Sequence, residues 1–141
     1  MIYLNGITSL YYTFHGCSSL LRTPRIPESV TNMQSAFHNC ESLMEVVNIP
    51  ENVENMQSAF YRCMSLETIP EIPAEVTNMQ STFYQCYRLQ GEIVINATPT
   101  TYSNCFNGAG INGTGIILKG SSTVLNELAA TNASGTVTVG E

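Results

Sequence analysis

Four cysteines recur at intervals of 23 residues, Cys17, Cys40, Cys63 and Cys86, and the first two each follow a histidine by two positions, His15 and His38. Thiol and imidazole are the side chains that hold zinc and carry nucleophilic chemistry. Zinc sites favour closely spaced ligand pairs, and the linear spacing here is 23 residues, so a metal would need the chain to stack the cysteines in space. Stacked rungs would hold Cα atoms about 5 Å apart, inside the range a disulfide permits, but parallel Cβ vectors give it a poor dihedral. A free thiol is also a small hydrophobe that buries readily. The column therefore reads as buried free thiols, with inter-rung disulfides and a metal site as the competing readings. A catalytic thiol needs a base beside it, and each cysteine shares its face with Phe and Met.

His15 and His38 belong to a second column, continued by Tyr61 and Tyr84. Each follows a core Phe directly and so points off the inner face. Two imidazoles do not complete a metal site. The column reads as a half-exposed aromatic row offering a binding surface, because Tyr combines an apolar ring with a hydroxyl. Glu45, Glu67 and Glu71 raise the possibility of a carboxylate pair, as in glycoside hydrolysis. They fall in different columns, however, and read as solvated. The column Arg25, Asn48, Glu71 varies in charge from rung to rung, which makes it a candidate for recognition. The string GAGINGTG lacks the G-K-[ST] of a phosphate loop. The glycosylation sequons at Asn96, Asn112 and Asn132 read as chance matches.

These side chains depend on a repeat. Phe14, Phe37, Phe60 and Phe83 form one column at the same 23-residue interval, and Leu20, Leu43, Leu66 and Leu89 another. Leu10, Met33, Met56 and Met79 form a third, with Pro27, Pro50 and Pro73 opposite Leu4 in the first unit. Within a unit, Val30, Met33, Phe37 and Cys40 are spaced three, four and three, which predicts a helix of about two turns. Thr31 with Gln34, and Thr77 with Gln80, fit capping boxes. One short strand per unit is expected, roughly 43–47 and its equivalents, shortened by the prolines. The identical Asn, Gln and Ser columns (Asn32, Gln34 and Ser35 in one unit) suggest side-chain bonding between turns. After Leu89 the pattern breaks: Tyr102 and Cys105 keep the aromatic-to-cysteine spacing but arrive only 19 residues after Phe83 and Cys86. GEIVIN, the run 116–118 and TVTVG read as strands, and SSTVLNELAA as a short helix capped by Ser121 or Ser122.

The totals bound what such a stack can do. A chain of 141 residues with 43% apolar content can form a core. Its net charge of −6, with no Asp and nine of eleven Glu between Glu28 and Glu92, argues against nucleic acid. Five Lys and Arg are too few for a polybasic membrane patch, no apolar run reaches a membrane span, and MIYLNG reads as no secretion signal.

The columns VTNMxxxF, then C, then SL resemble the BspA-like leucine-rich repeats of bacterial and protist surface proteins. The family's repeated Phe corresponds to Phe14, Phe37, Phe60 and Phe83, and its small or cysteine position to Cys17, Cys40, Cys63 and Cys86. The strand segment here is shorter than is usual in the family, the first unit reads ITSLYYTF, and the final third has no clear counterpart. The resemblance implies an α/β solenoid, a short stack of 23-residue strand–turn–short-helix units with a divergent C-terminal cap. Residues 1–95 would hold four repeats and residues 96–141 a degenerate last repeat and cap. It also implies a surface or secreted location and no cofactor. The partner would be a protein or glycan of a host or neighbouring cell. The functional expectation is a non-enzymatic interaction module. A structural spacer within a larger surface protein, and an enzyme with its site in the cap, are the alternatives.

Overall fold

Two residues in every turn segment have left-handed backbone, and they settle what the segment is. One set is Tyr12, Ser35, Ser58, Ser81 and Asn104, with φ between 52° and 58°. The other is Gly16, Asn39, Arg62, Gln85 and Gly108, with φ between 56° and 76°. A right-handed helix cannot pass through such residues. The helices expected over 30–40 and its equivalents are therefore absent, and each segment is a chain of tight turns. The computed structural model describes residues 6–141, so Leu4 of the Pro27 column lies outside the described residues.

The backbone bonds show why turns win over helix. Within a rung, the N–H groups of Ala36 and Cys40 donate to the carbonyls of Met33 and Phe37. The alternate N–H groups of Met33, Ser35, Phe37 and Asn39 donate to Asn55, Gln57, Ala59 and Tyr61 of the next rung at 2.7–2.9 Å. The same four-bond pattern joins the first rung to the second, the third to the fourth and the fourth to the fifth. An isolated two-turn helix is marginal in water. The turn chain instead satisfies its backbone across neighbours, which offsets a left-handed cost of about 1–2 kcal/mol per non-glycine residue.

The expected capping boxes are likewise replaced. Thr31 donates its hydroxyl to Thr8 O of the preceding rung. Asn32 Oδ1 accepts from the Gln34 N–H at 2.9 Å, and Asn55 and Asn78 repeat the bond with Gln57 and Gln80. Gln34 Oε1 and Gln57 Oε1 in turn accept from the Asn amides one rung on, Asn55 and Asn78. The identical Asn and Gln columns are thus side-chain ladders. Isolated parallel bridges run Ser9–Asn32–Asn55–Asn78–Thr101, each step one repeat long.

Side chains between the bonded edges form one continuous core. The Phe rings stack nearly parallel, with centroids 5.2 Å (Phe14–Phe37), 5.7 Å (Phe37–Phe60) and 5.9 Å (Phe60–Phe83) apart. The column continues to Phe106, 5.3 Å from Phe83, so the residue aligned with Phe83 is Phe106 and not Tyr102. Cys105 correspondingly falls in the column of Ala36, Ala59 and Thr82.

Strands form where proline is missing. Over the first rungs the expected strand is reduced to single bridges, Arg22–Glu45 and Ile72–Ile95. Pro24, Pro27, Pro50, Pro70 and Pro73 interrupt the ladder there. Beyond them, β1 (Gly91–Val94), β2 (Ile116–Lys119) and β3 (Val137–Val139) pair in parallel in the order β1-β2-β3. The helix α1 (Leu125–Ala130) lies between β2 and β3 in sequence and buries Leu128. Neither Ser121 nor Ser122 is its N-cap; that position is Val124, whose N–H accepts support from Ser122 Oγ at 3.2 Å.

Candidate functional site

The outward aromatic column is assembled by the same alternation that buries the Phe column. His38 lies between buried Phe37 and left-handed Asn39, so its ring leaves the core while Phe37 fills it. One rung apart, the rings stack: His15–His38 at 4.6 Å, His38–Tyr61 at 4.3 Å and Tyr61–Tyr84 at 4.6 Å, all within 15° of parallel. Tyr12 leans on His15 at 5.3 Å and extends the row. All four expected ladder residues therefore lie in one line. His38, Tyr61 and Tyr84 are half-buried, and His15 is exposed. Burial first, then the neighbouring His15 and the Arg62 guanidinium, push the His38 pKa down, so its ring favours the neutral form.

The other candidate column divides. Asn48 is occupied by the backbone of Ile26, accepting from its N–H and donating to its carbonyl, each at 2.8 Å. Glu71 accepts from Asn96 Nδ2. Arg25 is exposed. Asn48 and Glu71 line a groove of about 620 Å3, together with Glu51, Asn52, Glu75 and Asn96. This groove shares no lining residue with the aromatic row. Glu45 and Glu67 are taken up in surface ion pairs with Arg22 and Arg88, at 3.3 and 3.2 Å.

The thiol column is inert by construction. Cys40, Cys63 and Cys86 are buried and donate to the Phe14, Phe37 and Phe60 carbonyls at 3.1–3.2 Å. Burial pushes the Cys40 thiol up to about 11 and the Cys86 thiol up to about 12, with Cys63 also well raised. A nucleophile needs the opposite shift. Cys105 is buried and raised as well. All five cysteines are free. Two members of the expected core ladder depart from it: Cys17 is exposed and Phe14 only half-buried. Both sit on the first rung, which among the described residues is packed on one side only. At the far end Asn132 takes the thiol's place, donating from Nδ2 to Phe106 O and Ala109 O at 3.0 Å each, so that sequon's amide is sealed in the core. Among the described residues no three His, Cys, Asp or Glu side chains gather as a metal needs, and no helix is long and apolar enough to cross a membrane.

Sequence reasoning missed three features. Tyr11 and Tyr12 are exposed. Leu21 and Met44, one repeat apart, are 59% and 56% exposed and joined through Met44 N–H to Leu21 O. Arg62 stands in a left-handed column that elsewhere holds Gly16, Asn39, Gln85 and Gly108. In each case the clue was a single residue out of keeping with its column, visible only once the columns are correctly placed.

Stacked rungs, a shared apolar ladder and bonded Asn and Gln columns define a repeat protein whose variable surface lies outside the core. A family model for the BspA-type leucine-rich repeat region matches residues 8–134 in six copies, and the chain belongs to that family. No curated protein and no solved structure matches it. Repeats of this family build non-enzymatic protein-binding modules of surface proteins.

Proposed function

We propose that the chain is a cell-surface or secreted interaction module that binds an extracellular protein of a host or neighbouring cell through the row His15, His38, Tyr61 and Tyr84. The stacked row itself carries this reading: its rings lie outside the core, in line across four rungs. Their faces are turned to one another at 4.3–4.6 Å, so a partner meets ring edges and hydroxyls. A sugar docking on an aromatic face needs that face free, which favours protein over glycan. The exposed pair Leu21 and Met44 adds apolar surface across two rungs. Each 23-residue unit is one rung of a short solenoid. Residues 1–95 supply four repeats, and residues 96–141 a degenerate last repeat and cap that ends on α1 and β3.

The test is a screen of the purified chain against arrays of extracellular proteins and glycans, followed by the double substitution Tyr61→Ala, Tyr84→Ala. A protein hit weakened tenfold or more is expected. A hit that the double change leaves untouched removes the row from the interface. Hits confined to glycans would reverse the preference for protein, and no hit would favour a structural spacer.

A further inference from the structure

Arg62 is held at a cost that nothing inside the chain offsets. It adopts φ 58° in a column where Gly16 and Gly108 take the same conformation freely. Its Nε is buried without a hydrogen-bond partner. The chain has five Lys and Arg against eleven Glu. Among the described residues Arg22, Arg88 and Lys119 each pair with a glutamate, whereas Arg62 pairs with none. Strained backbone together with an unsatisfied charged group points outward, to something the side chain is kept for.

Its surroundings say what that is. Arg62 follows Tyr61 in the aromatic row and lies close enough to His38 to act on its charge. His38 stacks on His15 at 4.6 Å. His38 Nδ1, and Asn39 Oδ1 one rung back in the Arg62 column, are the other two buried side-chain atoms left without partners among the described residues. A guanidinium, two imidazoles and two phenols thus form a donor-rich strip on a molecule of net charge −6. A guanidinium in such a strip recognises a planar oxyanion by paired N–H bonds.

We propose that Arg62 is the specificity-determining contact of the aromatic row, and that it takes a single carboxylate presented by an otherwise neutral segment of the protein partner. The inference rests on the row being the binding surface and names the chemistry it selects. A wholly acidic segment is disfavoured by the chain's own charge, which acts over about 10 Å at 0.1 M salt. One carboxylate among apolar residues meets the strip locally and escapes that repulsion. Asn39 Oδ1 offers an acceptor beside it that suits a backbone N–H of the same segment.

The experiment uses the full chain, labelled with 15N, and two nonapeptides with neutral residues throughout, one with a central Glu and one with Gln in its place. The Glu peptide is expected to shift the amides of His38, Tyr61 and Arg62 and to bind at least fivefold more tightly than the Gln peptide. Arg62→Gln should erase the difference between the two, Arg62→Lys should retain part of it, and Arg88→Gln, whose partner is Glu67, should leave it intact. Equal binding of the two peptides, or no Arg62-dependent shift, overturns the proposal. So does a sulfated oligosaccharide that binds through Arg62 when the Glu peptide does not. If a partner's affinity depends on Tyr61 and Tyr84 but not on Arg62, this inference fails while the row remains the interface.

Discussion

The first four rungs and the last third of the chain solve the same packing problem with different backbones. From Ile7 to Leu89 the rungs are turn chains joined by single bridges, rich in left-handed residues and interrupted by proline. From Gly91 onward the chain forms three paired strands and a helix. One core nevertheless runs through both, from Leu10 to Leu128 and Val137. The period is therefore a property of the apolar side chains that must stack. The backbone follows whatever its prolines, asparagines and glycines permit.

The largest effect should come from breaking the shared core. Phe60→Ala, in the middle of the Phe stack, should cost about 3–5 kcal/mol in denaturant unfolding. If hydrogen exchange in β1 and β2 stays protected in that variant, the two regions are separate units and the comparison breaks. Next, Gly120→Ala tests how tightly the last third is built. Its φ is 116°, and an added Cβ would collide with the Ile95 backbone, so a loss of at least about 1–3 kcal/mol is expected. Gly16→Ala in the first region meets open space, so only the left-handed penalty, about 1–2 kcal/mol, should appear. Equal losses at the two sites would erase the contrast in packing.

Asn55→Ala removes one rung of the polar ladder, both its bond to the Gln57 N–H and its bond to Gln34. About 1–2 kcal/mol should be lost, read from the shift in denaturation midpoint. His38 gives a smaller, pH-dependent signal. Its pKa is lowered in the fold, so the unfolded chain binds the proton more readily. Its contribution is complete above the ordinary histidine range and is lost as pH falls through it, and His38→Gln should flatten that part of the stability curve. A slope of the opposite sign would mean that the ring is held protonated. The smallest effect on stability belongs to Cys17. A thiol reagent should label it quickly, leave the four buried thiols untouched and change stability by less than about 0.5 kcal/mol. Labelling of most thiols at once would show that the column opens readily.

Much of this was legible in the residues. The 23-residue columns identified the core, the rung order and the aromatic row before any coordinate was consulted. The helix was misread because Val30, Met33, Phe37 and Cys40 satisfy helical spacing, while the left-handed residues at Ser35 and Asn39 are set by bonds to the next rung, which no local pattern records. The last third was misaligned for a different reason. Gly91 pairs with Ile116 and Ile116 with Val137, so the offset widens to 25 and then narrows to 21. A glycine-rich turn that inserts two residues, followed by a segment that removes them, hides a period the core still obeys. Arg62 escaped notice because its oddity is conformational, not compositional.

The turn bonds also give the stack an electrical direction. In every rung from the first to the fourth, four N–H groups point toward the following rung and four carbonyls of that rung point back. The peptide dipoles on this edge therefore add along the stack, as they do along a helix axis, but with the opposite sense relative to chain direction. Parallel strands largely cancel such a field. The turn-built end is thus the negative pole of a polar rod and the fifth rung its positive pole. A cation approaching the carbonyls of Tyr11 and Thr13 gains from that alignment before it touches any side chain.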